Sequence, residues 1–134
     1  MKTIIAGGRD IEDYQLVLDA ISESGFEISH IVSGGARGAD SLGERYAKEN
    51  EIPITIYYAQ WKKYASFGQT KRAGTDRNKL MSENAEALIA IWDGESTGTA
   101  NMIDNAHKKG LKVYVKKVTK PSIFKKLPIE YKGL

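Results

Sequence analysis

Short apolar runs alternate with stretches of helical periodicity along most of the chain. Residues 3–6 read as a strand that ends at Gly7-Gly8. Over residues 13–24, Tyr14, Val17, Leu18 and Ile21 share one helical face, and Gly25 is placed to end that helix. Residues 28–33 form a second strand, after which Leu42, Tyr46 and Ala47 recur at helical spacing beyond Gly38. A third strand covers 52–57, with Pro53 near its start, where a missing N–H is tolerated. Residues 58–75 are polar and aromatic with weak periodicity, part loop and part short helix. A helix over roughly 76–83 leads to 87–92, the clearest buried strand. Residues 93–99 make another glycine-bearing turn. A helix over 100–109 then faces Met102, Ile103 and Ala106 inward, Gly110 closes it, and 111–116 is a fifth strand.

This alternation predicts βαβ units: a three-layer α/β fold around a mainly parallel sheet of about five strands. Right-handed crossovers bring all strand-to-helix turns to one sheet edge, where ligands of open parallel sheets bind at a switch point in strand order. Three glycine-bearing turns share that edge: Gly7-Gly8-Arg9-Asp10, residues 34–38 and residues 94–98. The expected organisation is a ligand-binding domain over 1–117 and a basic extension over 118–134.

A chain of 134 residues is one domain, able to bury a core. No apolar run approaches the roughly 18–20 residues of a membrane span, and the run at 3–6 is too short for a signal peptide. Without cysteine there is no disulfide and no zinc–thiolate site. A cytoplasmic protein with no membrane partner is expected. The net charge of +3 conceals an asymmetry: residues 108–134 hold nine lysines against Glu130, leaving eleven basic and sixteen acidic residues elsewhere. Such a tail either docks an anion such as nucleic acid or forms a lysine-rich edge that resists strand pairing.

The candidate chemistry centres on Ile31-Val32-Ser33-Gly34-Gly35-Ala36-Arg37-Gly38-Ala39-Asp40. A strand passing through a glycine-rich turn into a helix leaves backbone N–H groups unpaired at the positive end of the helix dipole, an anion site. Gly34, Gly35 and Gly38 would shape a phosphate cradle, Ser33 would add a hydroxyl and Arg37 a guanidinium fork. Asp40 either caps the helix or accepts from a ribose diol. Ser96, Thr97, Gly98 and Thr99 open the last helix, either as a second phosphate or ribose contact or as ordinary capping residues. Asp93 binds a hydroxyl or orders its turn; Arg9 faces the cleft or pairs with Asp10 or Asp13. Tyr57, Tyr58, Trp61, Tyr64 and Phe67 gather five of the twelve aromatics, for base stacking, a lid or a dimer interface.

Taken in order, Ala6-Gly7-Gly8-Arg9-Asp10, residues 33–40, Arg77-Asn78 and Trp92-Asp93-Gly94-Glu95-Ser96-Thr97-Gly98-Thr99 resemble the SLOG superfamily. The nearest likeness is to its small stand-alone YspA- and YpsA-related (DUF2493-type) proteins, distant relatives of DprA and LOG proteins. The resemblance covers about residues 1–117. It implies a Rossmann-like fold binding a nucleotide-derived small molecule, such as an ADP-ribose-like, cyclic ADP-ribose-like or cyclic nucleotide signal. It also makes Arg77 and Asn78 ligand contacts, alongside Gly7, Gly8 and Arg9. Sensing or sequestering such a signal, as in phage counter-defence, is the leading expectation, with a homo-oligomer expected.

Two alternatives stand beside it. A LOG-like N-glycosidase would use Asp40, Glu44 or Asp93, but the Pro-Gly-Gly-x-Gly-Thr signature is incomplete: Ser33 replaces the proline, Ala39 the threonine, and only Glu44 follows. A DprA-like single-stranded nucleic-acid binder would use the lysine tail. Neither a cofactor nor a metal is called for.

Overall fold

The computed structural model describes residues 1–119, so the tail expected over 118–134 lies almost wholly outside the described residues. Its elements are β1 (Lys2–Gly7), α1 (Tyr14–Ser24), β2 (His30–Ser33), α2 (Ala39–Glu49), β3 (Ile54–Ile56), α3 (Trp61–Ala65), α4 (Thr70–Glu83), β4 (Ala87–Trp92), α5 (Thr97–Lys108) and β5 (Lys112–Lys117). All four strand pairings are parallel, in the order β3-β2-β1-β4-β5.

β1 and β4 both lie inside this order with helices on both faces, which is why both read as nearly unbroken apolar runs. Alternate residues feed two cores. Ile5, Ile31, Ile89 and Ile91 pack with Val17 and Ala20 of α1 and Ala39 and Ala47 of α2. Ile4, Val32, Leu88 and Ala90 pack with Met81 of α4 and Met102 and Ala106 of α5. Full burial of each such large side chain is worth about 1.5–3 kcal/mol. Among the described residues no helix is long and apolar enough to cross a membrane.

The termini of α1 follow its sequence signals: the Asp13 carboxylate accepts the Gln15 N–H at 3.0 Å, and Gly25 ends the helix at φ 68°. α4 departs from expectation. It starts at Thr70, six residues before the expected start at 76, because tertiary contacts organise a polar segment lacking periodicity. Ala73 is buried, and the Tyr64 hydroxyl of α3 donates to Asp76 at 2.5 Å. α5 likewise begins at Thr97, so residues expected in a turn form its first turn of helix.

The chain leaves β1 for β2 on one side and meets β4 on the other. The carboxyl ends of β1 and β4 therefore border the crevice where strand order reverses.

Candidate functional site: two clefts on the carboxyl edge

A cleft of about 860 Å³ fills that crevice. Gly7, Gly8 and Arg9 line it from the turn after β1, Asp93 and Ser96 to Thr99 from the turn after β4, Arg77 and Asn78 from α4, and Asp40 from α2. A smaller cleft of about 350 Å³ adjoins it on the β3 side, lined by Gly34, Gly35, Arg37 and Tyr58. Arg9, Ala36, Trp61 and Arg77 border both. Ser33, Gly38 and Glu44 line neither.

The turn after β2 is bonded inward more than expected. The Gly35 N–H donates to Ser33 Oγ at 3.1 Å, the Ala36 N–H to Asp40 at 3.3 Å and the Ala39 N–H to the Gly8 carbonyl at 3.1 Å. Three amides expected to face an anion thus hold the turn together; those of Arg37 and Gly38 have no acceptor among the described residues. Ser33 is fully buried and its hydroxyl donates to Glu44 at 2.6 Å, so it offers nothing to a ligand, and Glu44 is tied down rather than simply solvated. Asp40 does not cap α2, whose N-cap is Gly38; its carboxylate reaches back to the turn. Gly38 has φ 80° and ψ −130°, and a Cβ there would fall 2.3 Å from the Gly8 carbonyl oxygen. That backbone region is effectively restricted to glycine.

Asp40 is only 6% exposed, and burial pushes its carboxyl up to about 6. The Ala36 amide and the Arg77 charge hold that rise in check, while Glu44 adds to it. Arg77 is half-buried: Nη1 donates to the Gly34 carbonyl at 2.5 Å and Nε to the Asn78 side chain at 3.0 Å. Burial lowers its pKa. Asn78 in turn donates to the Gly98 carbonyl at 3.3 Å and to Asn101 at 3.0 Å, linking α4 to α5.

The turn after β4 is built differently. One Asp93 oxygen accepts the N–H groups of Glu95 and Ser96, at 2.8 and 2.7 Å. Ser96 is the N-cap of α5 but its hydroxyl contacts Thr99 Oγ1 instead of a backbone amide, so the ordinary capping bond is absent. The amides of Thr97, Gly98 and Thr99 have no acceptor among the described residues, and all three residues line the large cleft. Arg9 pairs with neither Asp10 nor Asp13 among the described residues; its guanidinium lies 5.8 Å from the centre of the Trp61 ring.

Lys71, Thr75 and Asn101 also line the large cleft, and the sequence reading passed over them. Two of them belong to the first half of α4, which has no apolar periodicity to mark it. The described residues contain no cluster of histidine, aspartate and glutamate that could hold a metal.

This arrangement defines a Rossmann-like α/β protein with a cleft at its switch point. Residues 1–64 match the model of the YspA, cpYpsA-related SLOG family (YAcAr). The chain is 29% identical to Gene 61 protein of Mycobacterium phage D29 over 121 residues, 84% of this chain and 93% of that protein. The X-ray structure of DNA processing protein A (DprA) from Streptococcus pneumoniae superposes with a TM-score of 0.67 at 19% identity. That superposition covers 92% of this chain but only about half (51%) of that one. It supports the same fold, matching the parallel sheet and flanking helices.

Proposed function

We propose that this protein binds a nucleotide-derived small molecule in the large cleft and holds it, sensing or sequestering it. One observation carries the reading: the turns after β1 and β4 and the basic side of α4 converge on one 860 Å³ cleft at the switch point. Open amides at Thr97, Gly98 and Thr99 offer donors to a nucleotide's oxygens, and Arg9 and Arg77, which border both clefts, suit its phosphate. Asp40 offers acceptors for ribose hydroxyls. ADP-ribose-like, cyclic ADP-ribose-like and cyclic nucleotide signals all belong to this class. The likeness to a phage protein fits a counter-defence setting in which such a signal is removed from solution.

A second reading, hydrolysis of an N-glycosidic bond, is favoured by the buried Asp40, whose carboxyl titrates at about 6 beside the cleft, a value suited to acid–base work. The nucleic-acid reading rests on the nine lysines of residues 108–134, four of which lie outside the described residues.

Calorimetric titration with a panel of adenine nucleotides, followed by mass spectrometry of the bound fraction, separates these readings. Binding of at least one nucleotide, recovered intact and weakened at least tenfold by Arg77→Met, is the expected result. Released free base, lost in Asp40→Asn, would replace capture with hydrolysis. A panel in which nothing binds would end both.

A further inference from the structure

The arginines of this chain are unevenly placed. Of five, three (Arg9, Arg37 and Arg77) line the small cleft. The two elsewhere are paired with carboxylates, Arg45 with Glu49 at 2.8 Å and Arg72 with Asp76 at 3.7 Å. Arg9 and Arg37 have neither an ion pair nor a hydrogen bond among the described residues, and Arg77 donates only to neutral oxygens. No carboxylate lines the small cleft among the described residues, whereas Asp10, Asp40, Asp93 and Glu95 line the large one.

Three guanidiniums around 350 Å³ repel one another: burial lowers the pKa of Arg77, the Asp40 charge raises it, and the Arg9 charge, a smaller contribution, lowers it again, while Arg9 and Arg37 have no ion pair among the described residues. Clustering like charges costs free energy unless an anion of matching charge offsets it. No lysine lines it among the described residues, so the residue concentrated here is the one whose planar fork grips two phosphate oxygens at once. Tyr58 and Trp61 wall the cleft. The Tyr58 ring lies so close to Gly35 that a Cβ would come within 2.7 Å of it, and the Trp61 ring faces Arg9. Contact with the Trp61 ring engages the Arg9 guanidinium without using its N–H donors, which stay free for an anion.

We infer that the small cleft is a diphosphate subsite, so that the ligand carries two adjacent phosphate groups there while its nucleoside occupies the large cleft. This rests on the nucleotide-binding reading and narrows it to nucleoside diphosphates and their sugar conjugates, over monophosphates and single phosphodiesters. The shared borders of Arg9 and Arg77 let one molecule span both clefts.

The test compares AMP, ADP, ADP-ribose and inorganic pyrophosphate by titration calorimetry at fixed ionic strength, on wild type, Arg37→Met, Arg37→Lys and Lys48→Met. Arg37 lines the small cleft alone and is exposed, and Lys48 on the outer side of α2 controls for loss of one charge. Expected is at least a twentyfold preference of ADP or ADP-ribose over AMP, falling below threefold in Arg37→Met, intermediate in Arg37→Lys and unchanged in Lys48→Met. Which of the two diphosphates binds tighter identifies the source of the unit. Equal affinity for AMP and both diphosphates, or a preference that survives Arg37→Met or collapses equally in Lys48→Met, overturns the inference and leaves nucleotide binding standing. If no nucleotide binds, pyrophosphate decides. Binding lost in Arg37→Met keeps the subsite and ends the nucleotide reading, whereas absence of pyrophosphate binding ends the subsite.

Discussion

The turns after β2 and β4 look alike as strings of glycine and hydroxyl residues, yet they are built on opposite principles. After β2, glycines are demanded by close contact, and the amides of Gly35, Ala36 and Ala39 bond to Ser33, Asp40 and Gly8. After β4, one carboxylate orders the turn, Gly98 has nothing within 4 Å of a notional Cβ, and the first three amides of α5, whose residues line the large cleft, have no acceptor among the described residues. The first turn is scaffold, and arginines supply its charge; the second presents backbone directly. Glycine content therefore does not by itself mark open amides, which follow from what else can accept their hydrogen bonds.

The largest effect expected from this contrast is on glycine replacement. Gly38→Ala puts a Cβ into the Gly8 carbonyl oxygen in a backbone region closed to alanine, with loss of about 3 kcal/mol. Gly98→Ala sits in open space on a helix, where alanine is favoured, and should be neutral or gain up to about 1 kcal/mol. Urea denaturation of the two variants measures both. Similar losses at the two sites would erase the distinction between scaffold and presenting turn.

Next in size is the pH dependence carried by Asp40. The folded protein holds this proton more tightly than the unfolded chain, since the carboxyl rises from 3.8 to about 6. Its contribution to stability is therefore fully present below about pH 4 and is lost as pH rises through about 6, by roughly 2–3 kcal/mol. Asp40→Asn keeps an acceptor for the Ala36 N–H and removes the titration. The variant should gain about 2 kcal/mol on wild type at pH 7 and show no such gain at pH 4. A pH-independent difference would mean that the carboxylate is not held in the protein interior as the geometry requires.

Much of the fold was legible because parallel strands buried on both faces read as plain apolar runs: the strand expected over 87–92 is β4, Ala87–Trp92. Edges were overestimated, as with 52–57 against Ile54–Ile56, since an edge strand pairs on one side and its ends have no second neighbour. The turns carrying the candidate site were visible as glycine clusters. Their division into a cleft of mixed charge and an arginine-lined one was not, because it depends on contacts far apart in sequence. Arg77 meets the Gly34 carbonyl across 43 positions, and it does so only once residues 70–75, which have no apolar face, are drawn into α4. Ser33 read as a ligand hydroxyl because nothing in sequence reveals that Glu44, eleven positions on, returns over it.

That last pair gives the finest separation between the two turns. Ser33 Oγ accepts the Gly35 N–H and donates to Glu44 in a fully buried position, so Ser33→Ala strands an amide and removes a partner from a half-buried carboxylate. A cost of about 1–2 kcal/mol is expected, as for other buried groups left unpaired. Ser96→Ala breaks one contact of 3.2 Å to Thr99 Oγ1 and no backbone bond, and about 0.5 kcal/mol or less should be lost. The comparison sharpens further in a double variant. Glu44→Gln retains an acceptor for the Ser33 hydroxyl, so combining it with Ser33→Ala should cost less than the two single losses added together. Additive losses would show that serine and glutamate act independently, and that the turn after β2 draws its rigidity from its glycines and Asp40 alone.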